Sequence, residues 1–151
     1  LGSSLDEEHA VSGEALGDVR LCWFPRSRFG EFVDEYPQME RQLYRLAAHE
    51  LAAAREQMVL LGRKTALERL ATFFVQLLDR AERSGGGEAS SFDLPMSRSD
   101  IADYLGLTKE TVSRVLGQLR DLRMTRLLAL DRIEILDRKG LALVAEGAAR
   151  V

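Results

Sequence analysis

The stretch that most constrains this 151-residue chain is residues 96–119, Met-Ser-Arg-Ser-Asp-Ile-Ala-Asp-Tyr-Leu-Gly-Leu-Thr-Lys-Glu-Thr-Val-Ser-Arg-Val-Leu-Gly-Gln-Leu. Ser97 is a helix-capping residue, and Asp100 three positions later puts an acid in the first turn, where the helix dipole favours it. Ile101, Ala102 and Leu105 then share the inner face of a short helix. Gly106 supplies the backbone conformation of a tight turn, and Leu107 plugs the core beneath it. Thr108 caps a second helix whose inner face is Val112, Val115, Leu116 and Leu119. Two short helices joined by a turn of about three or four residues containing glycine form a helix-turn-helix.

In such a motif the second helix enters the major groove of DNA and its exposed N-terminal residues meet base edges. The expected base-reading residues are Glu110, Ser113 and Arg114, which lie on one helical face opposite Val112, Val115 and Leu116. Arginine donates two bonds to guanine, glutamate accepts from cytosine, and serine meets a base edge or a thymine methyl. Ser97, Arg98, Ser99, Thr108, Lys109 and Thr111 lie near the helix ends and suit phosphate contacts. The competing reading is that all of these are solvated helix residues. The capped helix, the glycine turn and the buried spacing around them weigh against it.

The flanking segments extend the pattern. Residues 126–130 and 132–136 read as two strands around Asp131, a hairpin wing that could bring Arg126 or Arg132 near the DNA backbone, and residues 137–145 as a closing helix. Upstream, Val19, Leu21 and Trp23 alternate over residues 18–24, the sign of a half-buried strand stopped by Pro25. A weak strand is expected near residues 9–15. Residues 26–33 read as a short helix with Phe29, Phe32 and Val33 turned inward. Pro37 suits a first helical turn, and good helix formers run from Met39 to Leu61. Met39, Leu43, Leu46, Ala47, Leu51, Ala54, Met58 and Leu61 make an apolar stripe roughly 35 Å long at about 1.5 Å per residue. A second copy of the helix is its simplest partner, and a core helix covered by this chain is the alternative. Gly62 allows a break, and residues 65–83 read as another amphipathic helix. Residues 84–91 read as a flexible loop, and residues 92–94 as a short strand.

Charge is unevenly placed, although the net charge is only −3. Residues 1–34 hold seven acids against three bases, whereas residues 96–138 hold eight bases against seven acids. The C-terminal part is thus the better partner for phosphate. The single cysteine, Cys22, permits no disulfide within the chain, which fits a reducing cytoplasm. No apolar run reaches the roughly 20 residues that span a bilayer, so no membrane partner is expected. The opening Leu, in what reads as the middle of a domain, suggests a fragment.

Asp100-Ile-Ala-Asp-Tyr-Leu-Gly-Leu-Thr-Lys-Glu-Thr-Val-Ser-Arg114, followed by Ile133-Glu-Ile-Leu-Asp-Arg-Lys-Gly-Leu141, resembles the DNA-binding domain of Crp–Fnr transcription regulators. The Glu110, Ser113 and Arg114 version is similar to the Fnr and FixK branch, since the Crp branch usually has Gly where Ser113 stands and Arg where Lys109 stands. The resemblance implies an α+β fold, mainly helical with a small sheet. In it a dimerisation helix at 37–61 precedes a winged helix-turn-helix domain at 62–151 and follows a remnant of a sensory β-roll at 1–36. It implies a cytoplasmic homodimer bound to double-stranded DNA and working with RNA polymerase. The implied operator is a palindrome of TTGAT-like half-sites, in which Arg114 reads the G, Glu110 the C opposite its neighbour and Ser113 the outer thymines. Two departures stand out. The family commonly has Gly at the end of the recognition helix, where this chain has Leu122-Arg-Met124, so Arg123 must adopt a strained backbone or the helix must end differently. Fnr proper carries an iron–sulfur cluster on cysteines, and Cys22 alone cannot hold one; no cofactor is expected.

Other function classes find less support. His9 and His49 have no metal-ligand spacing, the glycines at 85–87 lack the Lys and strand–helix context of a phosphate loop, and Cys22 between Leu21 and Trp23 reads as a packed residue rather than a nucleophile. An enzyme is therefore not expected. A helix-turn-helix module that binds proteins and no longer reads DNA is the main alternative, and a winged-helix protein of another family is a third.

Overall fold

The computed structural model describes residues 13, 15, 18–23, 25–85, 90–94 and 96–148. Among them the order is α1 (Arg26–Glu35), α2 (Pro37–Arg63), α3 (Ala66–Gly85), β1 (Ser91–Asp93), α4 (Arg98–Leu105), α5 (Lys109–Asp121), β2 (Thr125–Ala129), β3 (Arg132–Ile135) and α6 (Arg138–Ala145). This is the expected mainly helical fold with a small sheet. The chain divides into two compact units, Leu1–Arg55 and Glu56–Val151, so the boundary falls inside α2.

In the first unit, α1 starts after Pro25 and extends two residues beyond expectation, with Phe29, Phe32 and Val33 only half-buried. Pro37 occupies the first position of α2, where its missing N–H costs nothing. The strand expected at residues 18–24 is not formed over the described residues 18–23, and Leu21 and Trp23 are 83% and 82% exposed. Alternation marks a strand only where a neighbour completes the backbone ladder, and no described strand lies beside this segment. The weak strand near residues 9–15 lies almost wholly outside the described residues, as does most of the loop at 84–91.

Among the described residues, most of the long stripe of α2 is exposed. Leu46, Leu51, Met58 and Leu61 are exposed, as are Ala47 and Ala54, while Met39 and Leu43 are half-buried. The one buried residue of α2 is Leu60, outside the expected stripe.

In the second unit, α3 begins with a reciprocal cap. The Thr65 N–H donates to Glu68 Oε2 at 2.9 Å and the Glu68 N–H to Thr65 Oγ1 at 3.4 Å. The helix break follows Arg63 rather than Gly62 because this cap starts α3 just after it. Leu70, Phe74 and Leu78 of α3 are fully buried with Ile101 and Leu105 of α4, Val112, Val115 and Leu119 of α5, Ile133 of β3, and Leu141 and Val144 of α6. Each such side chain contributes about 1.5–3 kcal/mol by leaving water. Arg138 at the start of α6 pairs with Glu82 and, at 3.1 Å, with Asp79, tying α6 to α3 at the surface.

The sheet is antiparallel with order β1-β3-β2. The short strand expected near residue 92 is thus an edge strand of the wing, with Phe92 opposite Ile133. The hairpin's first strand is Thr125–Ala129, with a register irregularity between Leu127 and Ala129.

Candidate nucleic-acid interface

The local sequence builds the two helix starts as read. Ser97 Oγ accepts from the Asp100 N–H at 3.3 Å, and the Asp100 carboxylate accepts from the Ser97 N–H at 2.8 Å, a complete capping box. The Ser97 side chain first, and the Ser97 backbone N–H second, hold the Asp100 carboxyl below its ordinary value, with desolvation acting weakly the other way. At α5, Thr108 Oγ1 accepts from the Thr111 N–H at 3.2 Å and donates to Thr111 Oγ1 at 3.0 Å. Between the helices Gly106 sits in the left-handed region at φ 60°, and the Leu107 N–H closes on the Ala102 carbonyl at 2.8 Å.

These bonds sort the expected phosphate contacts. Ser97 and Thr108 spend their hydroxyls on building helices, and Thr111 receives one of those bonds. Arg98 is half-buried, whereas Ser99 and Lys109 point to solvent. Glu110, Ser113 and Arg114 are all exposed, on the side of α5 away from the buried Val112, Val115 and Leu119. Among the described residues none of these three has a side-chain hydrogen bond or ion pair. They stand next to the N-terminus of α5, where unpaired backbone N–H groups favour an anion. A donor fork, a carboxylate acceptor and a small hydroxyl therefore lie on one open surface.

In the wing, both arginines that the hairpin was expected to carry toward the DNA backbone have carboxylate neighbours. Arg126 bonds Glu134 across the hairpin, its Nε donating at 2.7 Å to Oε2. Arg132 lies 3.7 Å from Asp93 and donates to Ser91 Oγ at 3.4 Å. Both guanidiniums are engaged by neighbours that only strand register brings opposite them.

At the far end of α5 the chain turns through Arg123, the only described non-glycine residue with positive φ, at 56°. The Met124 N–H reaches the Leu119 carbonyl at 3.0 Å and the Arg123 N–H the Arg120 carbonyl at 2.9 Å. This is a Schellman ending with arginine where glycine is usual. The departure noted in the sequence is thus met by backbone strain rather than by a different ending.

Sequence reasoning missed Arg69 and Gln57. Arg69 is half-buried on α3 and bonds backbone carbonyls of the α2 end and of the helix-turn-helix turn, and Gln57 donates to the Tyr104 carbonyl at 3.0 Å. No motif marks either residue, because their partners are main-chain atoms of distant segments.

Residues 68–144 match the family described as "Crp-like helix-turn-helix domain". The chain is 46% identical over 119 residues to the nitrogen fixation regulation protein FixK of Bradyrhizobium diazoefficiens, a match covering 79% of this chain and 50% of that protein. It is 40% identical over 144 residues to the transcriptional activator protein Anr of Pseudomonas protegens, covering 94% of this chain and 57% of that protein. Among solved structures, FixK2 from Bradyrhizobium japonicum superposes with a TM-score of 0.71 at 40% identity, over 79% of this chain and 58% of that one. The chain spans about half the length of the curated relatives it matches.

Proposed function

Because the chain belongs to the family of Crp-like helix-turn-helix domains, we propose that it is the DNA-binding part of a Crp–Fnr-type transcription regulator. It acts as a homodimer on a palindromic operator with TTGAT-like half-sites. Each α5 enters the major groove, where Arg114, Glu110 and Ser113 read bases. Arg98, Ser99 and Lys109, with the N-terminal N–H groups of α4 and α5 that Ser97, Thr108 and Thr111 organise, position the phosphates. The apolar stripe of α2 pairs with its copy, residues 1–36 close a sensory β-roll, and RNA polymerase is the partner in the cytoplasm. No described helix is long and apolar enough to cross a membrane.

The observation that carries this reading is the open, unpaired trio of Glu110, Ser113 and Arg114 at the capped start of α5. Support for the FixK and Anr branch comes from relatives 46% and 40% identical, one described as a regulator of nitrogen fixation and the other as a transcriptional activator. Fluorescence anisotropy against an inverted TTGAT duplex and a scrambled duplex, at one salt concentration, tests it. Specific binding at least about a thousandfold tighter than binding to the scrambled duplex is expected. Weak and equal binding to both would leave the fold without this function.

A further inference from the structure

The last carbonyls of a helix have no partner within it. In α4 those of Tyr104 and Leu105, and that of Gly106 in the turn, find donors outside the helix-turn-helix. Gln57 of α2 donates to the Tyr104 carbonyl at 3.0 Å. Arg69 Nη1 donates to the carbonyls of Leu105 at 2.9 Å and Gly106 at 3.4 Å. The same guanidinium donates through Nη2 to the Leu61 carbonyl at 2.7 Å and through Nε to the Lys64 carbonyl at 2.9 Å. One planar fork thus holds the last turn of α2, the α2–α3 connection and the turn between α4 and α5. The fit is close: a Cβ on Gly106 would stand 3.3 Å from Leu61 Cδ2 and 3.5 Å from Arg69 Nη1.

We infer that Arg69, seconded by Gln57, is a positioning residue that locks the direction of the α2 end against the helix-turn-helix and so sets the operator half-site spacing the protein accepts. This rests on the DNA-binding and dimer reading above. If α2 joins two copies, the angle between its end and α4 is repeated by symmetry, and a small angular freedom becomes a large freedom in the separation of the two α5 helices. The two half-sites are then bound together only at the spacing that angle dictates. Arginine suits the task because its donors point along fixed directions in one plane, whereas a lysine ammonium serves these four carbonyls only in part.

The test compares wild type with Arg69→Met and with Arg69→Lys, which keeps the charge without the fork, each checked for helix content by circular dichroism. Binding is measured to the inverted repeat, to the same repeat with two base pairs inserted, and to a single half-site. Wild type is expected to prefer the uninterrupted repeat about tenfold or more, and the variants less than about threefold, with single half-site affinity unchanged. A second readout needs no DNA. Spin labels at Glu56→Cys and Ser113→Cys in a Cys22→Ser background, diluted with unlabelled chain, report the distance distribution between α2 and α5 by double electron–electron resonance. It is expected to be narrow with Arg69 and broadened in both variants. Folded variants that keep the narrow distribution, or the wild-type spacing preference, overturn the inference. Were wild type to prefer no operator at all, the function proposed above would fail, and the distance measurement alone would still decide the role of Arg69.

Discussion

At the scale of single residues, the two ends of α5 carry opposite expectations. Arg114 is exposed and unpaired beside the helix N-terminus, so Arg114→Ala should remove about 1–3 kcal/mol of sequence discrimination. Arg98→Ala should instead weaken binding to every duplex and flatten its salt dependence. Titrations of operator and random duplex over a salt series separate the two, and equal losses on both duplexes for Arg114→Ala would end its base-reading role. Arg123 is a matter of stability. Its left-handed backbone costs what glycine avoids, so after the extra chain entropy of glycine Arg123→Gly should stabilise by about 0.5–1 kcal/mol in urea unfolding. No gain in the denaturation midpoint would mean that its side chain compensates the strain. The missing glycine in Leu122-Arg-Met124 marked the position, but a strained Arg123 and a different helix ending were both open, and the fold takes the first.

At the scale of elements, the helix starts depend on short-range bonds, and one of them depends on pH. Asp100 has its carboxyl held below its ordinary value by Ser97. Its contribution to α4 is therefore complete above the ordinary carboxylate range and is lost as the pH falls through the lowered value. Asp100→Asn should be less stable than wild type at neutral pH, and the difference should shrink as acid takes the solution below that range. Urea unfolding of both proteins across an acid series checks this, and a difference that stays constant would mean the ionised carboxylate is not what matters. The residues of α4 and α5 were readable because caps and turns act within four positions along the chain. The wing was harder. That Arg126 would face Glu134 follows from antiparallel register, and that β1 would pair with β3 follows from a contact across some 40 residues of chain. The segment 18–23 shows the converse failure, alternation without a neighbouring strand.

At the scale of the molecule, the exposed stripe of α2 is the surface that the proposed pairing of two copies would use. Leu51 is 54% and Met58 64% exposed, so replacing both with glutamate should leave the folded chain monomeric in sedimentation velocity. An unchanged mass would move the interface elsewhere. What the sequence determined by itself was the set of features that depend on near neighbours: helix periodicity, the capping box, the Gly106 turn and the exposed face of Glu110, Ser113 and Arg114. A helix's caps and faces are set within a turn or two of the same chain, so they can be read without knowing the fold. What only the tertiary structure decided was who meets whom across distance. Arg69 and Gln57 reach the carbonyls at the end of α4, Leu60 enters the core while Val59 and Leu61 beside it are left exposed, and the wing arginines meet carboxylates. Such partners are chosen by packing and register, and backbone carbonyls carry no side-chain identity by which a sequence could announce them.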